Sequence, residues 1–206
     1  MPLRWRTHRA QRVLDFDCEA RPLAWISQDF VSKEPTAIAA KFIGDPEPPH
    51  VWLIGRDGVW RESDVVLMLE GFRDMYREAD VVTGHYIRGY DLTLLNGAML
   101  EMGLPPLGPK LAHDTKQDLV KRSGLSSSQE NLGAMLGLEH PKVQMDQAKW
   151  RAANRLTPEG VALTRERVVG DVEQHIELRA RLLERGFLGP PKLWDPGSAR
   201  DGGYLP

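Results

Sequence analysis

Between Val13 and Glu19 the chain reads VLDFDCE, with Asp15, Asp17 and Glu19 at alternate positions and Leu14, Phe16 and Cys18 between them. A period of two predicts a β-strand whose successive side chains point to opposite faces. One face is then apolar and the other carries three carboxylates. The apolar face demands a covering layer. The acidic face repels itself, and burying it even in part raises the pKa values of its carboxyl groups or calls for a cation. These residues alone leave two readings open. One is the solvated outer face of an edge strand; the other is a site for a hard divalent ion such as Mg²⁺ or Mn²⁺, which prefers oxygen donors.

The rest of the chain supplies the layers. PTAIAAKFIG and HVWLIG read as two further strands around the turn-rich DPEPP. Residues 63–79 carry Val65, Met68, Leu69, Phe72, Met75, Tyr76 and Ala79 at helical spacing, with Ser63 as a suitable N-cap. DVVTG reads as a buried strand, residues 90–102 as a helix, and KLAHDT as a fifth strand. A serine run at 126–128 caps a short helix, and residues 146–154 form another. The last helix is capped by Thr157, carries Pro158 in its first turn and stops at Gly186, with an apolar stripe of Val161, Val168, Val169, Val172, Ile176, Ala180 and Leu183. Strands that follow one another directly make hairpins, and later ones need helical crossovers. The expectation is an α/β fold, a mixed five-stranded sheet flanked by helices.

With 206 residues and 41% hydrophobic content, that sheet fits one domain, over residues 12–186. A basic arm (1–11, with Arg4, Arg6, Arg9 and Trp5) precedes it, and a Pro/Gly-rich tail (187–206) follows. A net charge of −2 argues against coating DNA or a membrane by bulk attraction. The lone Cys18 excludes an internal disulfide, and its acidic neighbours disfavour the thiolate a nucleophile needs. No apolar run approaches the roughly 20 residues of a membrane span, and the N-terminus lacks a secretory pattern. A soluble cytoplasmic protein with no membrane partner is expected.

A second patch points to the divalent ion. VVTGHYIRGYDLTLL places a polar, glycine-containing loop after a buried strand, and Asp91 opens the next helix. Strand ends are where α/β sheets place their ligands. Here the sequence resembles the DnaQ-like (DEDD) 3′–5′ exonucleases of the ribonuclease H-like superfamily. Their Asp-x-Glu motif is matched by Asp17-Cys18-Glu19, their loop Asp by Tyr90-Asp91, and their last acid by Asp171 in RERVVGDVEQH. The resemblance spans residues 12–183. It implies a ribonuclease H-like fold, two Mg²⁺ or Mn²⁺ ions on Asp17, Glu19, Asp91 and Asp171, and hydrolysis of terminal phosphodiesters, with DNA as the foremost substrate. Asp15 reads as a strand-end neighbour of that set. The loop-rich segment 104–128 resembles stand-alone members, some of them phage-encoded, for which the compartment is the host cytoplasm.

The sequence departs from that family before Asp171. The family's general base, a Tyr four or a His five residues earlier, is replaced by Arg167 and Glu166. His175, one turn later on the same helix face, and His85 in the loop are substitute bases. The alternative for Asp171 is a helix acid paired with Arg167 one turn earlier. Arg88 is placed to reach a phosphate, Tyr86 or Tyr90 to stack on a terminal base, and Asp114 to cap or to neighbour the metal. Basic residues Lys142, Lys149, Arg151 and Arg155 surround Trp150. The expected partner is nucleic acid with a 3′ end. The alternative class is a silent nuclease-fold module that binds nucleic acid or a replication partner. Within the fold, a structure-selective endonuclease and an RNA-trimming enzyme are also open.

Overall fold

A computed structural model describes residues 10–27, 30–124, 128–140 and 142–197. The basic arm up to residue 9, Ser126 and Ser127 of the serine run, and residues 198–206 of the tail lie outside these. Strand β1 (Val13–Ser27) pairs antiparallel with β2 (Phe30–Phe42), which pairs antiparallel with β3 (His50–Leu53). Helix α1 (Glu62–Glu78) crosses to β4 (Val81–Gly84), parallel to β1; α2 (Asp91–Glu101) crosses to β5 (Lys110–Asp114), parallel to β4. Helices α3 (Thr115–Ser123), α4 (Gln129–Leu136), α5 (Gln147–Asn154) and α6 (Pro158–Glu184) follow, and β6 (Lys192–Trp194) pairs antiparallel with β5. The sheet order is β3-β2-β1-β4-β5-β6, a mixed sheet flanked by helices and compatible with a ribonuclease H-like fold. Among the described residues no helix is long and apolar enough to cross a membrane.

Among the described residues the sheet has six strands rather than the expected five. Residues 192–194, read as tail, add β6, and Trp194 is buried in the core. Three residues are too short to show a period, and their Pro/Gly neighbours hide them. Strands β1 and β2 also run further than their apolar patterns. At the start of α1 the N-cap position is held by Arg61, without a side-chain cap, and Ser63 sits inside the first turn. The other caps behave as their chemistry directs: Ser128, Asp146 and Thr157 accept from Asn131, Lys149 and Gly160 backbone N–H groups.

Alternation along β1 divides the molecule into two layers. Leu14, Phe16 and Cys18 face α1 and α2, where the Phe16 and Phe72 rings lie 4.8 Å apart. Each such fully buried side chain stabilises the fold by about 1.5–3 kcal/mol. Asp15, Asp17 and Glu19 face the other way, toward α6. Across the hairpin, Asp17 and Glu19 are in register with Ala39 and Ala37, both fully buried. These small side chains leave the acid face low, and α6 lies across it.

Candidate metal centre

The centre arises where a strand and a helix share a spacing. Two strand residues advance roughly 6.7 Å and four helical residues about 6 Å, so every second position of β1 can meet every fourth of α6. Glu19 faces Arg167, Asp17 faces Asp171 and Asp15 faces His175. The outer two rungs join complementary groups. Arg167 Nε donates to Glu19 Oε1, and His175 Nδ1 lies 2.7 Å from Asp15 Oδ2. The middle rung sets acid against acid. Carboxylate oxygens of Asp17, Glu19 and Asp171 all lie within 4.8 Å of one another.

Asp91 joins from the far side of the strand. Parallel pairing between β1 and β4 stops at Gly84, where a Cβ would meet Ile87 Cγ2 at 2.3 Å and the Phe16 carbonyl at 2.7 Å. Beyond it β1 has lost its neighbour, so the Cys18 N–H needs another acceptor. The carboxylate of Asp91, 3% exposed at the first turn of α2, supplies it. The loop that delivers Asp91 is pinned by Asp114, whose carboxylate accepts the N–H groups of Tyr86 (3.1 Å), Arg88 (3.0 Å) and Gln117 (2.9 Å). Asp114 is thus a cap and loop anchor. Asp91 stands outside the 4.8 Å cluster, although its charge acts on Asp17.

Burial, and then Asp171, Asp91 and Glu19, drive the Asp17 pKa well above the ordinary carboxylate range, with Lys142 opposing. Burial pushes Asp91 up to about 7. It raises Glu19 too, against the pull of Arg167. Burial and the neighbouring acids hold the Cys18 thiol well above its ordinary value, so this cysteine stays a thiol. Such a pocket takes up either protons or cations. A hard divalent ion fits the donor set: three carboxylates converge, a fourth is adjacent, and the buried Asp171 Oδ1 has no hydrogen-bond partner among the described residues.

Two cations of the chain already reach the same pocket. Lys142 Nζ donates to Asp171 Oδ2 at 2.9 Å, and Arg167 approaches Asp171 at 3.7 Å besides its bond to Glu19. The helix pair between Arg167 and Asp171, left open by the sequence, is therefore present together with the acid cluster. The Arg167 guanidinium also lies 5.3 Å over the Trp150 ring and donates to the Val143 carbonyl.

The remaining expected residues fall in different places. His175 is 2% exposed, and its other nitrogen, Nε2, lies 2.9 Å from Thr115 Oγ1. With both ring nitrogens committed, His175 links α6 to Asp15 of β1 and to Thr115 of α3. His85 Nδ1 bonds the same Thr115 hydroxyl at 2.9 Å, so Asp15, His175, Thr115 and His85 form one chain. Arg88 donates from Nε to Gln117 at 3.2 Å and from a terminal nitrogen to Asp118 at 2.8 Å. Tyr86 takes a positive φ of 77° with Lys116 Nζ 4.0 Å from its ring centroid. Tyr90, half-buried, has Lys33 Nζ 4.8 Å from its ring and feels the charges of Asp91, Glu19 and Asp17. Sequence reasoning missed the placement of Lys142 and the Asp15–His175 pair. The four-residue spacing of Arg167, Asp171 and His175 against the two-residue spacing of the acids was the available signal.

No protein-family model matches the sequence, and no curated protein matches it. Among solved structures, the chain is similar to the family B DNA polymerase from the hyperthermophilic archaeon Pyrobaculum calidifontis. The TM-score is 0.64 at 17% identity, covering 85% of this chain and 25% of the polymerase chain. The chain therefore spans about a quarter of that protein's length, and the likeness is one of fold.

Proposed function

We propose that this protein is a divalent-metal-dependent nuclease that trims nucleic acid from the 3′ end, with DNA as the first substrate to test. The observation that carries the reading is the convergence of Asp17, Glu19 and Asp171 within 4.8 Å, with a buried Asp171 oxygen that has no hydrogen-bond partner among the described residues. The motif resemblance and the ribonuclease H-like sheet agree with it. Asp17, Glu19, Asp91 and Asp171 would hold the metal. When bound, a divalent ion supplies an acidified water and stabilises charge on the departing oxygen.

The residues of the chain then divide the work of binding and orientation. Hydrolysis adds water to the terminal phosphorus and breaks its bond to the 3′ oxygen of the preceding nucleotide, releasing a 5′-nucleotide. Arg167 occupies the family's base position, but a guanidinium has no acceptor for a proton. Its part is to hold Glu19 ionised and oriented. Lys142 keeps donors for a phosphate oxygen beyond the one it gives Asp171. Asp114 fixes the loop so that α2 presents Asp91 at the uncovered edge of β1.

The Arg167 and Lys142 ion pairs favour a second reading, a silent module of the same fold that binds nucleic acid or a replication partner. One assay separates the two. Oligonucleotides labelled at either end are incubated with Mg²⁺, Mn²⁺ or chelator, in deoxyribose and ribose forms. Stepwise metal-dependent shortening from the 3′ end, lost in Asp17→Ala, is the expected result; binding without cleavage leaves the module.

A further inference from the structure

The segment between α4 and α5 carries a lysine into the acid cluster and is fastened there on both sides. The Glu139 N–H donates to Glu177 Oε2 at 2.9 Å, and Gln174 Nε2 donates to the His140 carbonyl at 2.6 Å. After Lys142, the Val143 carbonyl accepts from Arg167 and the Gln144 carbonyl from Lys149, both at 2.9 Å. Exposed lysine pairs sample many geometries and contribute about 0–1 kcal/mol. Lys142 differs. Its side chain is 20% exposed against a carboxylate that is 2% exposed, and its charge acts on Asp17 and Glu19 as well as on Asp171.

Charge then limits what else the pocket accepts. Asp17, Glu19, Asp91 and Asp171 bring four negative charges when ionised; Lys142 and Arg167 return two. One divalent ion brings the set to neutrality. A second would leave a buried excess of two positive charges, which a low-dielectric pocket opposes. Geometry agrees with the arithmetic, because Glu19 and Asp171 Oδ2 are engaged by the two side chains while Asp171 Oδ1 has no partner among the described residues.

We propose that Lys142, together with Arg167, takes the place of one of the two divalent ions, so that the centre binds a single Mg²⁺ or Mn²⁺. The inference rests on the metal-dependent reading of the site and changes its stoichiometry. A lysine ammonium is a compact point charge with three donors, suited to neutralise acids and to bond a phosphate oxygen at once.

Mn²⁺ titration of the full chain without nucleic acid, followed by electron paramagnetic resonance, tests it. Wild type and Lys142→Arg are expected to take up one tightly bound Mn²⁺ per chain, Lys142→Met and Lys142→Gln two, and Asp17→Asn none. Circular dichroism selects the neutral variant that keeps the wild-type fold. Two ions in wild type, or one in the folded neutral variant, overturn the substitution of ion by lysine while leaving a metal-dependent nuclease intact. No uptake by any form sinks the metal reading itself.

Discussion

The two faces of β1 are made from adjacent residues and follow opposite rules. Leu14, Phe16 and Cys18 meet α1 and α2 through dense apolar contact, whereas Asp15, Asp17 and Glu19 meet α6 through charge. Burial stabilises the first face. On the second, burial is a cost offset rung by rung, by Arg167 at one end and His175 at the other. Only the middle rung sets like charge against like, and it is the one that attracts Lys142. A single strand thus presents an apolar face to one layer and a charged face to the other, because neighbours in sequence never share a face.

That division can be broken from either side. The largest effect expected is on cleavage: Asp17→Ala should reduce metal-dependent shortening of a labelled oligonucleotide to background. Its thermal midpoint should hold or rise, since one of three mutually repelling carboxylates is gone. A marked fall in midpoint would show that Asp17, like Asp15, also holds the fold. Phe16→Ala on the opposite face should cost about 3–5 kcal/mol in urea unfolding, through the cavity left against Phe72. His175→Ala should approach a similar loss of about 3–5 kcal/mol, because it strands the buried Asp15 carboxylate without its partner. Pairing it with Asp15→Asn should recover much of that loss, and full additivity of the two changes would refute the rung. Thr115→Val should give the smallest change, about 1–3 kcal/mol, by leaving the His175 and His85 nitrogens without their shared hydroxyl.

How much of this was legible in the sequence follows the same division. Period-two alternation located β1 and its acids, and helix caps located α6 from Thr157, because both signals are local. Asp91 was legible from a loop that follows a buried strand. The buried face of α6 was legible in part: Val161, Val168 and Val172 of the expected stripe are buried. Hydropathy selects a stripe through Val169, Ile176 and Leu183, yet Leu183 is 40% exposed while Asp171, Gln174 and His175 are buried. Those polar groups go inside because partners far away in sequence await them, with Glu19 and Arg167 separated by 148 positions and Asp15 and His175 by 160. Lys142 was hidden for a related reason: its place is set by the bonds that fasten its flanking residues to α6, which no periodicity announces. Arg88 read as a phosphate contact because it sits in the motif loop; its bonds to Gln117 and Asp118, 29 and 30 positions away, leave no local signal.

The matched pitch of strand and helix has a consequence for how this chain can change its length. Adding one residue within 15–19 would invert which acids meet α6. Adding one within 167–175 would swing all later helix positions by about 100° and unmesh the His175 end from the Arg167 end. Insertions and deletions belong in the connecting segments, and the two meshed stretches behave like gear teeth, open to exchange of a tooth but not to a change in their number.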